Sequence, residues 1–583
     1  MFTSRRAPAA LAVLAGGALL ISGCSADRGG SSSDASGSAG ATGPSNATIT
    51  VAHEQEFNAY NNNTADQNAV QNSVVLNNVL DGFWDFGPDG GLRNNTEFGT
   101  FEKTSDDPLT VKYTINDKAV WSDGEPIDCD DIVLTWAANS GKFASQETDE
   151  NGNPLSGFSS ASTSGYEDMN FPECNAGDKT VTVTYTKTFA DWASAFGINP
   201  NIMPAHIVAK NAGVSDLIGA LKNNTADQVA ALAKFYNTGF IGNPGTVDKA
   251  NWVSSGPYLI DSWQAGQSIT LKANPKWWGT PAKTGTIVIR FIDATAQAQA
   301  LANGEIQVAR PQPAADILKQ LQAINPPVKI DQGDEYTFEH LDFNFQGEFK
   351  DANLRKAFAL CVPRQQIVDN LIKPVNENAT VLNSRYKLAF QEGYQGVVQA
   401  SYSGQYDQPN IEQAKQLLGG KTGVTVRIGY QTPNQRRTNA VSLIKASCDQ
   451  AGFNVQDAGQ EDFFGNGLAA GNFDVALFAW SGSPLVSGNA STYITGGGNN
   501  NGKYSNPQVD QLTATLLTQT DTAQQDQTIG QIEKILWDDL ATIPIFTFPG
   551  VQANDTKVSG PAFQPAQSQQ TWNDNEWAVA QQS

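Results

Sequence analysis

The sequence predicts a mixed α/β protein built as two large lobes, and three observations lead there. The chain has 583 residues, and beyond about 250–300 residues a single hydrophobic core stops growing and chains divide. Apolar residues alternate with polar ones at strand period in Val111-Tyr113-Ile115, Val181-Val183-Tyr185 and Val424-Val426-Ile428-Tyr430. Between such segments, apolar residues recur at helical spacing, so strands and helices share one chain.

The helical patterns carry start and stop signals. Val229, Leu232, Ala233 and Tyr236 fall on one face behind Thr225, with Gln228 three residues on, which predicts a capping box. Ile529, Ile532, Leu536 and Leu540 form a second face that Pro544 is expected to end. The stretch WSDGEPIDCDDIVLTW from Trp121 reads as a strand, a tight turn at Asp123-Gly124, and a helix capped by Asp128 with Asp131 at its third position. No fixed-period repeat is visible, which disfavours a solenoid or propeller.

The formal charge is -22, from 59 acidic and 37 basic residues. Such a surface cannot displace phosphate counterions, so nucleic acid is excluded as a partner. Arg5 and Arg6 precede an apolar run from Ala9 to Ile21, followed by Ser22, Gly23 and Cys24. The run is shorter than the roughly 20 residues a spanning helix needs and reads as a secretion signal over residues 1–23. A cysteine after two small residues resembles the lipobox of bacterial lipoproteins. That resemblance implies lipid attachment at Cys24, contact with the membrane through that anchor alone, and residence on the outer face of the cytoplasmic membrane. Residues 24–46, rich in Ser, Gly and Ala, read as a flexible tether, because they bury too little apolar surface to offset ordering entropy.

Cys129, Cys174, Cys361 and Cys448 remain in the exported body. An even number in an oxidising compartment suggests two disulfides among three connectivities. With His53, His206 and His340 scattered, the cysteines fit no zinc pattern. No G-x-S-x-G elbow, HExxH or phosphate-cradling glycine loop appears, so the chain is read as a non-enzyme without a cofactor.

Six fragments in chain order carry a family resemblance: WSDG with its helix; SGPYLIDSW with NPKWWG; the run ending in GEIQVA; LRKAFALCVPRQQIV; YSNPQVDQL; and ATIPIF. Together they resemble the oligopeptide/dipeptide-binding receptors of ABC importers. The resemblance implies a periplasmic-binding-protein fold, two α/β lobes joined by crossing strands, with an extra subdomain in the larger lobe. It places the first lobe at 47–310 with the extra subdomain near 83–190, the second lobe at 311–540, and a returning segment at 541–583. Pairing Cys129 with Cys174 and Cys361 with Cys448 keeps each bridge within one lobe and is favoured.

By the same resemblance, a monomer captures a peptide or other small solute in the interlobe cleft and delivers it to permease subunits. Tyr60, Asn61, Asn62 and Asn63 follow the first strand where the family's chain enters the site, and amides suit backbone or hydroxyl groups. Phe83 and Trp84 are read as core-packing residues, with the cleft wall as the alternative. In FDVALFAWSGSP, Trp480, Ser481, Gly482 and Ser483 stand where peptide receptors carry a tryptophan followed three residues later by an aspartate for the peptide ammonium. Ser483 replaces that acid, and a hydroxyl cannot neutralise an ammonium. Two further readings stay open: a receptor for a non-peptide solute, and a receptor-fold lipoprotein acting as a scaffold or regulator in envelope biosynthesis.

Overall fold

The computed structural model describes residues 44–144, 157–468, 470–566 and 568–580. The expected leader, Cys24 and nearly all of the expected tether lie outside the described residues. In chain order the strands are β1 (Ser45–His53), β2 (Trp84–Phe86), β3 (Leu92–Asn94), β4 (Gly99–Asp106), β5 (Leu109–Ile115), β6 (Thr180–Thr184), β7 (Tyr258–Gln264), β8 (Ser268–Ala273) and β9 (Thr284–Phe291). There follow β10 (Val308–Ala309), β11 (Lys329–Phe343), β12 (Val424–Gln431), β13 (Phe453–Gln460), β14 (Val475–Ser481) and β15 (Thr542–Asn554).

Ten of them form one sheet in the order β13-β12-β14-β11-β15-β10-β1-β9-β8-β7, while β4-β5-β6 make a separate three-stranded sheet. Two main cores lie against the large sheet. One draws on residues from Ile49 to Val308 with Val558 and Trp577, and the other on residues from Leu341 to Phe548. The long strands β11 and β15 cross between them. They pair from Lys329↔Asn554 to Asp334↔Pro549, break register, and resume at Phe338↔Thr547.

The crossing strands contribute to more than one core. The helix Ala315–Gln322 packs through Ile317, Leu318 and Leu321 with Ala52, Ile306 and Ala309 of the first half. Ile543, Ile545 and Phe546 lie in the second core, whereas Val551 and Ala553 join the cluster around Ala52.

The local signals divide. Asp128 caps the helix Cys129–Asn139 in a full capping box with Asp131, as the sequence predicts. Thr225 does precede the helix Ala226–Thr238, but its side chain makes no capping bond. The helix Thr522–Asp539 ends at Leu540, whose φ of 51° turns the chain into the left-handed region. Pro544 therefore does not end it; the proline sits inside β15 opposite His340, where β11 shifts register by the neighbouring residue. A residue without an N–H is tolerated in a central strand at such an irregularity.

The four cysteines pair as Cys129–Cys174 and Cys361–Cys448, with Cα separations of 6.1 and 4.9 Å. In the second half Arg385 and Glu533, both wholly buried, form an ion pair at 2.7 Å. Among the described residues no helix is long and apolar enough to cross a membrane.

Candidate functional site

Side chains on β11 alternate between two environments. Leu341 and Phe343 enter the second core, while Phe338 and His340, together with Asp342, lie on the opposite side. On β14, Val475 and Leu477 face the core, and Ala476, Phe478 and Trp480 share the other side. The antiparallel register sets Phe338 beside Trp480 and His340 beside Phe478. His340 stacks on Trp480 at 6.0 Å and 13°, and meets Phe478 edge-on at 4.4 Å.

The first half completes this surface. Trp84 and Phe86, with Leu92 and Ile198 packed against them, join Phe338, Leu382, Leu388 and Trp480 in a single apolar cluster. Buried within or beside it are polar atoms with no hydrogen-bond partner: Trp84 Nε1, Trp480 Nε1, both ring nitrogens of His340, and Thr547 Oγ1. Asp342 Oδ1 lies 3.3 Å from His340 Nε2, yet the contact lacks hydrogen-bond geometry, so neither atom is satisfied. Each such group costs about 1–3 kcal/mol if left unpaired. Apolar walls with a few convergent polar atoms are the usual lining of a small-molecule site.

The back of the same strand is held by charge. Glu339 accepts from Arg437 Nε at 2.6 Å and Nη2 at 3.3 Å. Burial would raise its carboxyl, but the guanidinium groups of Arg437 and Arg436 outweigh burial and hold it below the ordinary range. At the end of β1, burial, aided by the Arg310 charge, lowers His53 to about 4 and keeps its ring neutral at physiological pH.

The loop after β14 is fixed tightly. Ser481 pairs with Thr337 in the ladder. A Cβ on Gly482 would lie 2.1 Å from the Tyr336 carbonyl oxygen, so this close approach requires glycine. Ser483 Oγ accepts from the Leu485 amide at 3.1 Å and shapes the turn.

The Tyr60–Asn63 stretch is not part of this surface and is committed to scaffold bonds. Tyr60 donates to the Val253 carbonyl and stacks on Trp252 at 5.5 Å. Asn61 accepts from the Asn63 amide and donates to the Tyr236 carbonyl. Asn62 accepts from the Ala69 amide and donates to Ser73. Asn63 bridges Asn201 in both directions and donates to Tyr236. All three amides are therefore used internally on both oxygen and nitrogen. Phe83 belongs to the first core, edge-on to Phe98 and Tyr113, whereas its neighbour Trp84 reaches the interlobe cluster. Sequence reasoning missed Phe338, His340 and Asp342, although the alternation in FEHLDF is a strand signal with two faces.

The profile of the bacterial extracellular solute-binding proteins, family 5 (middle), matches residues 96–502. The chain belongs to this family. A family 5 protein is a solute receptor and not an enzyme. An uncharacterised lipoprotein of Mycobacterium tuberculosis is 30% identical over 536 residues, covering 89% of this chain and 91% of the relative. The oligopeptide-binding protein OppA of the same organism is 26% identical, over 84% of this chain and 78% of its own length. Among solved structures, the periplasmic EDTA-binding protein EppA superposes with a TM-score of 0.80 at 22% identity, covering 93% of this chain and 98% of that one. The fold is thus the two-lobed α/β arrangement of the solute receptors, and β11 and β15 are its crossing strands.

Proposed function

We propose that this family 5 protein is the extracytoplasmic receptor of an ABC importer, held to the membrane by a lipid on Cys24, which captures a small solute between its lobes and delivers it to the permease. The single observation that carries this reading is the set of unpartnered buried polar atoms on Trp84, Trp480 and His340, the two tryptophans in one interlobe apolar cluster and the histidine stacked on Trp480. A solute that met them would favour the closed arrangement by its differential affinity for it. Peptides are the first class to test, given the likeness to OppA.

A second reading, a non-peptide solute, is favoured by Ser483, whose hydroxyl serves the local turn and offers no charge for an ammonium. Mass spectrometry of small molecules released from the purified protein separates the two. Recovery of peptides supports the first reading, and recovery of a solute without a peptide backbone supports the second. A Trp480→Ala variant that retains its solute as well as the wild type would refute the interlobe site. If peptides are recovered, blocking their amino group by acetylation is expected to weaken binding little.

A further inference from the structure

Far from the crossing strands in sequence, two adjacent residues of the first half reach the second. Asp191 follows Phe189, which packs in the first core. Its Oδ2 accepts from the Ser487 amide at 2.7 Å, and its Oδ1 from the Val486 amide at 3.2 Å. Beside it, the Ala190 amide donates to the Leu517 carbonyl at 2.7 Å. Val486 packs against, and Leu516 belongs to, a second-half cluster with Tyr386, Tyr493, Ile532 and Leu536. Three hydrogen bonds from two residues therefore join opposite halves.

The Asp191 carboxylate meets the turn that directly follows β14, the strand carrying Trp480 of the candidate site. Ser483 Oγ holds the Leu485 amide, and Asp191 takes the next two amides in line. Gly488 closes the turn against Ser483, its missing Cβ leaving room for the Ser483 side chain. One carboxylate oxygen per amide is the geometry of a charge-assisted clamp. An amide side chain at this position could accept only one of the two bonds and would turn its NH2 toward the other donor.

We propose that Asp191 is a positioning residue, a rim latch that holds the lobes closed by gripping the turn that begins at Ser483, just after the strand bearing Trp480. The proposal rests on the interlobe-site reading but is tested apart from it. No solute needs to be identified, because the readout is the shape of the protein.

Small-angle scattering of the wild type is compared with Asp191→Asn and with Val486→Pro. The second variant removes one donated N–H from the opposite side of the contact. Leu485, at φ -76° and ψ 141°, already has the extended backbone that a following proline prefers. Both variants are expected to shift the closed-to-open ratio toward open by about tenfold with far-UV circular dichroism unchanged; Asp191→Asn should also keep the wild-type melting temperature, whereas Val486→Pro, which trims packing against the Tyr386 cluster, should lower it slightly. If Asp191→Asn fails to fold, Val486→Pro carries the test. Variants as compact as the wild type would overturn the latch, and so would a wild type that scatters as an open form throughout. Either result leaves the small-molecule test of the interlobe site standing.

Discussion

Replacing Arg385 by methionine isolates a buried charge, and the structure sets the size of the penalty. Glu533 Oε2 takes the Arg385 Nη1 bond at 2.7 Å, while Oε1 also accepts from Ser384 Oγ at 2.8 Å and the Tyr386 amide at 3.0 Å. Arg385 in turn donates from Nε to Thr542 Oγ1 at 2.7 Å and lies 4.4 Å over the Trp537 ring. Unit charges about 4 Å apart attract by ~4 kcal/mol at an effective dielectric near 20. Removing one partner strands the other in the core, which costs about 3–5 kcal/mol. Removing both, as Arg385→Met with Glu533→Leu, abolishes the stranded charge but leaves Ser384 Oγ and the backbone amides of residues 385 and 386 without an acceptor, at ~1 kcal/mol each. The double variant is therefore expected to be more stable than the single one. Urea unfolding followed by tryptophan fluorescence and circular dichroism measures both, and the single variant should lower the midpoint by about 1 M. A single variant that loses under ~1 kcal/mol, or a double variant less stable than the single, would refute the reasoning.

Burial, reinforced by the Asp85 and Glu97 charges, raises the Asp81 carboxyl to about 8 against the bonds from Gly82 and Asn95. The folded state thus holds a proton that the unfolded chain releases near pH 4, so stability falls as pH rises from about 4 to about 8 and is level beyond. Asp81→Asn should flatten that decline by at most ~1.4 kcal/mol per pH unit, read from urea midpoints at about pH 5, 7 and 9. Replacing Cys361 and Cys448 by alanine opens a bridge with a sequence separation of 87 and should cost about 2–4 kcal/mol by the same assay. Gly482→Ala must push the chain just beyond the β11–β14 ladder away from the Tyr336 carbonyl, so the variant should lower the urea midpoint; an unchanged midpoint would contradict the assigned close approach.

Much of this architecture was legible because local and global signals agree. Alternation marks β5, β6 and β12 correctly, and Asp128 with Asp131 announces a real helix start. Where they diverge, tertiary contacts decide. Pro544 looks like a helix stop, yet the helix ends at Leu540 and the proline enters a strand whose irregular register tolerates it. The asparagines after β1 have the right chemistry for a ligand, but whether an amide faces a solute or a neighbouring carbonyl depends on partners over a hundred residues away, such as Tyr236 and Asn201. For His340 the alternation in FEHLDF marks only one face of a strand, since its setting comes from the register that brings Phe478 and Trp480 alongside. Asp191 was equally silent, because its partners belong to the other half.

The paired ribbons β11 and β15 have a mechanical consequence. A lone connecting chain swivels about any bond, but two strands laddered edge to edge form a strip that flexes across its thin dimension and resists twisting in plane. Their ladder is interrupted between Asp334 and Phe338, so bending concentrates in that short span. Whatever solute arrives, the outer rims should then travel along one arc and stop at one angle, giving a membrane partner the same geometric signal from chemically different cargo.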